Sequence, residues 1–162
     1  MTVPRIMVCL ILFWMAAAGP ALAQETEKDA EKTVMQEIKA VMETYKKAFK
    51  ARDIDGLMAL WSSRPDILLM GTGPGERYMG TEEIKHAYLR FFDNFDSEEG
   101  NITWMKISDN GDTAWFSVMG HFTSYYKNVK NEFALNHTGV LEKHEGKWLF
   151  VMRHFSGLVS AE

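Results

Sequence analysis

The chain has 162 residues, with 18 lysines and arginines against 22 aspartates and glutamates, for a formal net charge of −4. This mildly acidic balance lacks the basic footprint by which proteins hold nucleic acid or anionic membrane. The length suits one domain around a single core.

Met1 to Arg5 make a short basic start, Ile6 to Met15 are almost wholly apolar, and Gly19-Pro20 is expected to break any helix. Ala21-Leu22-Ala23 then gives the small-x-small pattern of a cleavage site before Gln24. The segment 1–23 reads as a secretory signal peptide cut after Ala23, which implies a periplasmic or secreted protein without membrane attachment once cut. The alternative, a retained anchor, asks an apolar core this short to span a bilayer. Removing 23 of the 162 residues leaves 139, with 17 basic and 22 acidic groups and a net charge of −5. Cys9 departs with the signal, so the mature chain depends on no disulfide even in an oxidising compartment.

Residues 24–33 are charged and lack large apolar groups, a solvated lead-in or fraying first turn. From Val34 the apolar positions Ile38, Val41, Met42, Tyr45, Ala48 and Phe49 recur at three and four, the buried stripe of a helix. Asp53 is placed to N-cap a short second helix carrying Leu57, Met58, Leu60 and Trp61, which Pro65-Asp66 stops. Ile67 to Met70 reads as a short strand, followed by a glycine-rich turn, GTGPGERYMG. Thr81 caps a third helix with Ile84, Ala87, Tyr88, Phe91 and Phe92 on its apolar face. DNFDSEEGN reads as a loop, and the rest as strands at 102–108, 113–126, 132–142 and 148–156, with tight turns at DNGD and KHEGK. The layout is α+β: three N-terminal helices packed on one face of an antiparallel sheet, in a single domain over 34–158.

Strand alternation sorts the last segments into two faces. Trp115, Ser117, Met119, His121 and Thr123 share one side of their strand, Asn136 and Thr138 one side of the next, and Val151, Arg153 and Phe155 one side of the last. Several buried polar groups together call for internal pairing or a solvated hollow. These three sets are therefore expected to line a pocket under the helices. The opposite sets, with Phe116, Phe122, His137, Trp148, Phe150 and His154, are richer in aromatics than a water-facing sheet tolerates. They are expected to bury against a second copy, making a homodimer.

YKKAFKARDIDGLMALW, YMGTEEI, and GKW followed by HFSG, in that order and spacing, resemble the SnoaL-like branch of the nuclear transport factor 2-like superfamily over roughly Val34 to Gly157. The resemblance implies a strongly curved sheet forming a cone-shaped half-barrel. The last strand is also similar to that of the association domain of calcium/calmodulin-dependent protein kinase II, but the positions matching its pocket arginines are Gly139 and Phe155. Such folds host enzymes, binders and assembly hubs. Matched to ketosteroid isomerase, Tyr45 falls on the oxyanion-hole tyrosine, Trp61 and Tyr88 on supporting tyrosines, and Asn136 on the second acid. The position of the catalytic base falls on or beside Met70, and a thioether abstracts no proton, which argues against that isomerisation. The same matching turns Arg153 into the cavity and His154 outward.

Three functions follow from these residues. In the first, Trp61, Tyr88, Trp115, Ser117, Met119 and Phe155 wall a pocket in which Arg153 clamps a small polar or aromatic molecule; alternatively Arg153 makes a structural ion pair or snorkels to the rim. In the second, His121 is a general acid or base with Tyr45 and Asn136 as oxyanion donors; alternatively His121 is a hydrogen-bonded core residue. The third is an oligomeric assembly module. The histidine spacing matches no metal motif, and no cofactor is implied.

Overall fold

The computed structural model describes residues 20–157 apart from Asp96 and Asn128, with side chains from Lys32 onward except those of Ser97 and Glu98. The expected signal segment lies outside the described residues except for its last four positions. Among the described residues no helix is long and apolar enough to cross a membrane.

Helix α1 spans Pro20–Ala51. It includes the lead-in at 24–33, expected to be loose. Glutamate, lysine and alanine there are good helix formers, and proline is tolerated in a first turn. Its stripe is the expected one: Ile38 and Ala48 are buried, and Val41, Met42, Tyr45 and Phe49 pack beside them. Arg52, at φ 56°, ends the helix in the left-handed region. Its guanidinium donates to the carbonyls of Phe92, at 2.7 Å, and Phe95, tying the end of α1 to that later segment. Asp53 caps α2 (Ile54–Met58) by accepting from the Gly56 amide at 2.9 Å. Helix α2 stops before Trp61, which instead bridges to Phe150.

Strands β1 (Leu68–Met70) and β2 (Arg77–Met79) precede α3 (Gly80–Asn94); β2 was not expected inside the glycine-rich turn. The N-cap of α3 is Met79 rather than Thr81, and the Glu83 carboxylate reaches back to the Met79 amide at 2.8 Å. The remaining strands are β3 (Ser97–Asn110), β4 (Thr113–Tyr126), β5 (Val129–His144) and β6 (Lys147–Gly157). Strand β3 absorbs most of the stretch expected to be a loop. The curved, unclosed sheet runs β2-β1-β6-β5-β4-β3, antiparallel except where β1 lies parallel to β6. Glu145 and Gly146 both have positive φ, the conformation a tight two-residue hairpin turn requires.

The helices cover the face bearing Ala114, Phe116 and Val118 of β4, Leu141 of β5, and Trp148 and Phe150 of β6. This reverses the expected assignment. The register of β4 on β5 pairs Trp115 with Val140, Ser117 with Thr138, Met119 with Asn136 and His121 with Ala134, so these residues share one face as expected. That face, however, points away from the helices: Trp115 is 46% exposed and Met119 42%. The cause is a bulge in β6. The ladder passes from Leu141↔Phe150 to Val140↔Met152, leaving Val151 unpaired. An extra residue shifts a strand's phase. Trp148 and Phe150 point inward before the bulge, and Arg153 and Phe155 after it. Of the aromatic set expected to mate with a second copy, Phe116, Trp148 and Phe150 are thus in the protomer's own core with His137 buried beside them, whereas His154, opposite Thr138, faces outward as expected.

Candidate functional site

A short strand phase and a glycine place one cation in the core. Arg153 is only 2% exposed. It sits opposite Gly139 in the ladder, and a β-carbon on Gly139 would come within 2.6 Å of the Phe116 ring and 3.0 Å of the Met152 carbonyl. Glycine therefore lets the ring and the arginine strand close in.

The guanidinium is held by neutral groups. Its Nε donates to His137 Nε2 at 3.0 Å, and Nη1 donates to the Tyr88 hydroxyl at 3.1 Å. The same hydroxyl accepts from the Trp61 indole at 3.2 Å. The guanidinium carbon lies 3.6 Å from the Tyr45 ring centre, 4.8 Å from that of Phe150 and 5.2 Å from that of Phe155. Ring faces attract a desolvated cation by about 2 kcal/mol or more. Among the described residues, no ion pair involves Arg153. A buried charge is ordinarily matched by an opposite one, because desolvation costs several kcal/mol. Here hydroxyls, an imidazole and rings stand in its place.

Burial favours the neutral forms of two neighbours, His137 and Tyr45. Burial, more than the charge of Arg153, holds the His137 imidazole well below its usual range, with His154 adding to the effect. Burial pushes the Tyr45 phenol well above its ordinary value, although Arg153 opposes this. The His137 ring stacks on Phe155 at 4.3 Å and meets Phe116 edge-on at 4.8 Å. Tyr45 and Phe155 keep partial exposure, so the rim of the cluster reaches the surface.

Of the residues expected at the site, Arg153, Tyr88, Trp61, Tyr45 and Phe155 come together beneath the helices. Trp115, Ser117, Met119, His121 and Asn136 lie on the other side of the sheet, so the expected trio of Tyr45, His121 and Asn136 does not converge. Asn136 faces Met119 and Ser156 across the ladder. Met70 lies in β1 opposite His154. His137 was missed because the unbulged phase put it on the mating face. The signal was the three-residue step from Phe150 to Arg153 in a strand otherwise alternating by two. Two concavities stand out, and neither is lined by the residues of the Arg153 cluster. An open groove of about 540 Å³ at the far ends of β3, β4 and β5 includes His121, Glu99 and Glu132. A smaller one of about 130 Å³ lies between α1 and β3. The buried Arg153 cluster sits beneath the helices, where the hollow was expected. Among the described residues no group of histidine, cysteine and carboxylate side chains is placed to hold a metal ion.

A family model described as SnoaL-like domain matches residues 38–160. The chain belongs to the SnoaL-like family. Solved structures agree on the fold. A nuclear transport factor 2-like superfamily protein from Salmonella enterica serovar Typhimurium is 20% identical, with a TM-score of 0.72 over 81% of this chain and 95% of that one. A Xanthomonas campestris protein named for the calcium/calmodulin-dependent protein kinase II association domain is 25% identical, with a TM-score of 0.68 over 77% and 88%. A ketosteroid isomerase-like protein from Erwinia carotovora is 23% identical, with a TM-score of 0.64 over 77% and 96%. No curated protein matches the chain. The SnoaL-like domain thus shares its scaffold with proteins of several names, and the scaffold alone selects none of their activities.

Proposed function

We propose that this SnoaL-like domain binds a small carboxylate-bearing molecule at Arg153. The observation that carries the proposal is a core guanidinium with no carboxylate partner among the described residues. His137 accepts from the guanidinium, while the hydroxyls of Tyr45 and Tyr88 beside it are able to donate a hydrogen bond, and an incoming anion needs donors. The rings of Tyr45, Phe150 and Phe155 suit a flat or apolar body on the acid. A ligand that reaches the guanidinium displaces the Tyr45 ring, the nearest wall and one that keeps partial exposure.

Isothermal titration of small carboxylic acids and their amide isosteres tests this. The acids are expected to bind and the amides to bind at least about tenfold more weakly, a difference of about 1.4 kcal/mol. Arg153→Met is expected to abolish the difference. Equal binding of acid and amide contradicts the proposal.

Two further proposals concern its setting. The basic start, apolar run and Ala21-Leu22-Ala23 support export to the periplasm or beyond, which N-terminal sequencing of the mature protein tests. A homodimer is proposed through the outer sheet face, where Trp104 lies across from Met119 and Trp115 is close by, all substantially exposed. Sedimentation of Trp115→Glu is expected to give a monomer. A dimer unchanged by that substitution places the interface elsewhere.

A further inference from the structure

His137 has no part in the clamp as described, yet it occupies one of the Arg153 donors. Its Nε2 accepts from Arg153 Nε at 3.0 Å, so the ring proton resides on Nδ1 and the imidazole is neutral. A neutral histidine in that place holds the guanidinium without cancelling its charge. Protonation would put a second cation beside the first in a buried setting, and would turn the acceptor nitrogen into a donor facing another donor. The imidazole stays neutral while the site is empty.

An anion reverses both objections. A carboxylate beside Arg153 offsets the first charge and offers oxygens to two donors. We infer that His137 is a second ligand-binding residue: a bound carboxylate replaces it as the acceptor of the Arg153 Nε–H, and His137 takes a proton from solvent at Nε2 and donates it to the same carboxylate. This rests on the carboxylate proposal and adds the group that tunes it. No covalent bond changes beyond that one proton, which solvent supplies.

Of the groups around His137 only His154, on the outer face opposite Thr138, could also take up a proton, and the imidazole spectra tell the two rings apart. Arg153 and His154 approach from β6, Tyr88 from α3 and Tyr45 from α1 share the guanidinium, and β4 presents Phe116 and Val118, which do not titrate. The phenols are already protonated and Arg153 is permanently charged. Stacking on Phe155, at 8° between ring planes, fixes the direction in which the imidazole nitrogens point. The affinity of a carboxylate therefore rises as pH falls, by up to about tenfold per pH unit, while that of a neutral amide does not.

The test titrates acetate and benzoate into the full chain at pH 8, 7 and 6, in buffers of different ionisation enthalpy. Imidazole nitrogen NMR spectra are recorded with and without benzoate. The expected result is net proton uptake on binding, affinity rising three- to tenfold for each unit of pH lowered, and a His137 ring that becomes doubly protonated only with the acid bound. His137→Gln, which keeps an acceptor for Arg153, is expected to bind benzoate with a flat pH profile. If that variant does not fold, the NMR spectra of the unaltered chain decide alone. Binding without proton uptake, with His137 still neutral, overturns this inference and leaves the carboxylate site standing. If neither acid binds, the site itself fails and the inference with it.

Discussion

The two faces of the sheet both carry polar side chains among aromatic ones, and play different parts. The outer face has Ser117, His121, Asn136 and Thr138 among Trp115 and Met119, which on composition alone looks like a binding pocket. The inner face has mostly apolar residues, and among the described residues its buried polar side chains are Arg153, His137 and Ser124. A polar group on an open face satisfies itself with water and signifies little. A polar group with no access to water must be accounted for by its neighbours. Burial, rather than the number of polar residues, marks the candidate site.

Adjacent residues sharpen that contrast. Phe116 faces in, packed against His137 and Phe150, and Phe116→Ala is expected to destabilise the fold by about 3–5 kcal/mol in urea unfolding. Gly139→Ala forces a β-carbon against that ring and is expected to cost about 1–3 kcal/mol by overpacking. Arg153→Met replaces a buried cation with an apolar chain of similar length. Stability is expected to be unchanged or to rise by about 1 kcal/mol or more, although acid binding is lost. A variant more stable than the parent but unable to bind would mark Arg153 as retained for function. At the small end, His121→Ala is expected to alter stability by less than about 0.5 kcal/mol and leave acid binding intact, since that histidine is exposed on the other face. A large effect there would break the comparison.

The buried histidine also responds to acid. The folded state holds His137 neutral to a lower pH than the unfolded chain does, so below about pH 6.5 the unfolded chain binds more protons. The stability contributed by the neutral imidazole is full above that pH and lost as pH falls, with a slope of up to about 1.4 kcal/mol per unit. Unfolding curves between pH 7.5 and 5 are expected to show this slope, and His137→Gln to reduce it.

Much of this was legible in the sequence. The stripe from Val34 to Phe49, the Asp53 cap, the hairpin turns and the inward direction of Arg153 follow from periodicity, local hydrogen bonding and family likeness. The inner and outer faces did not follow. Alternation propagates along a strand only while the register is unbroken, and one unpaired residue at Val151 exchanged the faces expected for β4 and β5. Neither Val151 nor its neighbours carry a glycine or proline to announce a bulge. The three-residue step from Phe150 to Arg153 was its only trace. The second edge strand was hidden for a different reason: Arg77–Met79 is short and follows a turn rich in glycine, so it pairs because β1 lies beside it rather than from propensity.

The most direct test of an anion site at the buried guanidinium is the Arg153 Nε–H signal in nitrogen NMR, followed during titration with benzoate and, separately, with benzamide. A shielded, hydrogen-bonded signal that shifts with benzoate and stays in place with benzamide is the expected result. A signal that ignores both, or responds equally to both, would show that the core arginine serves packing alone.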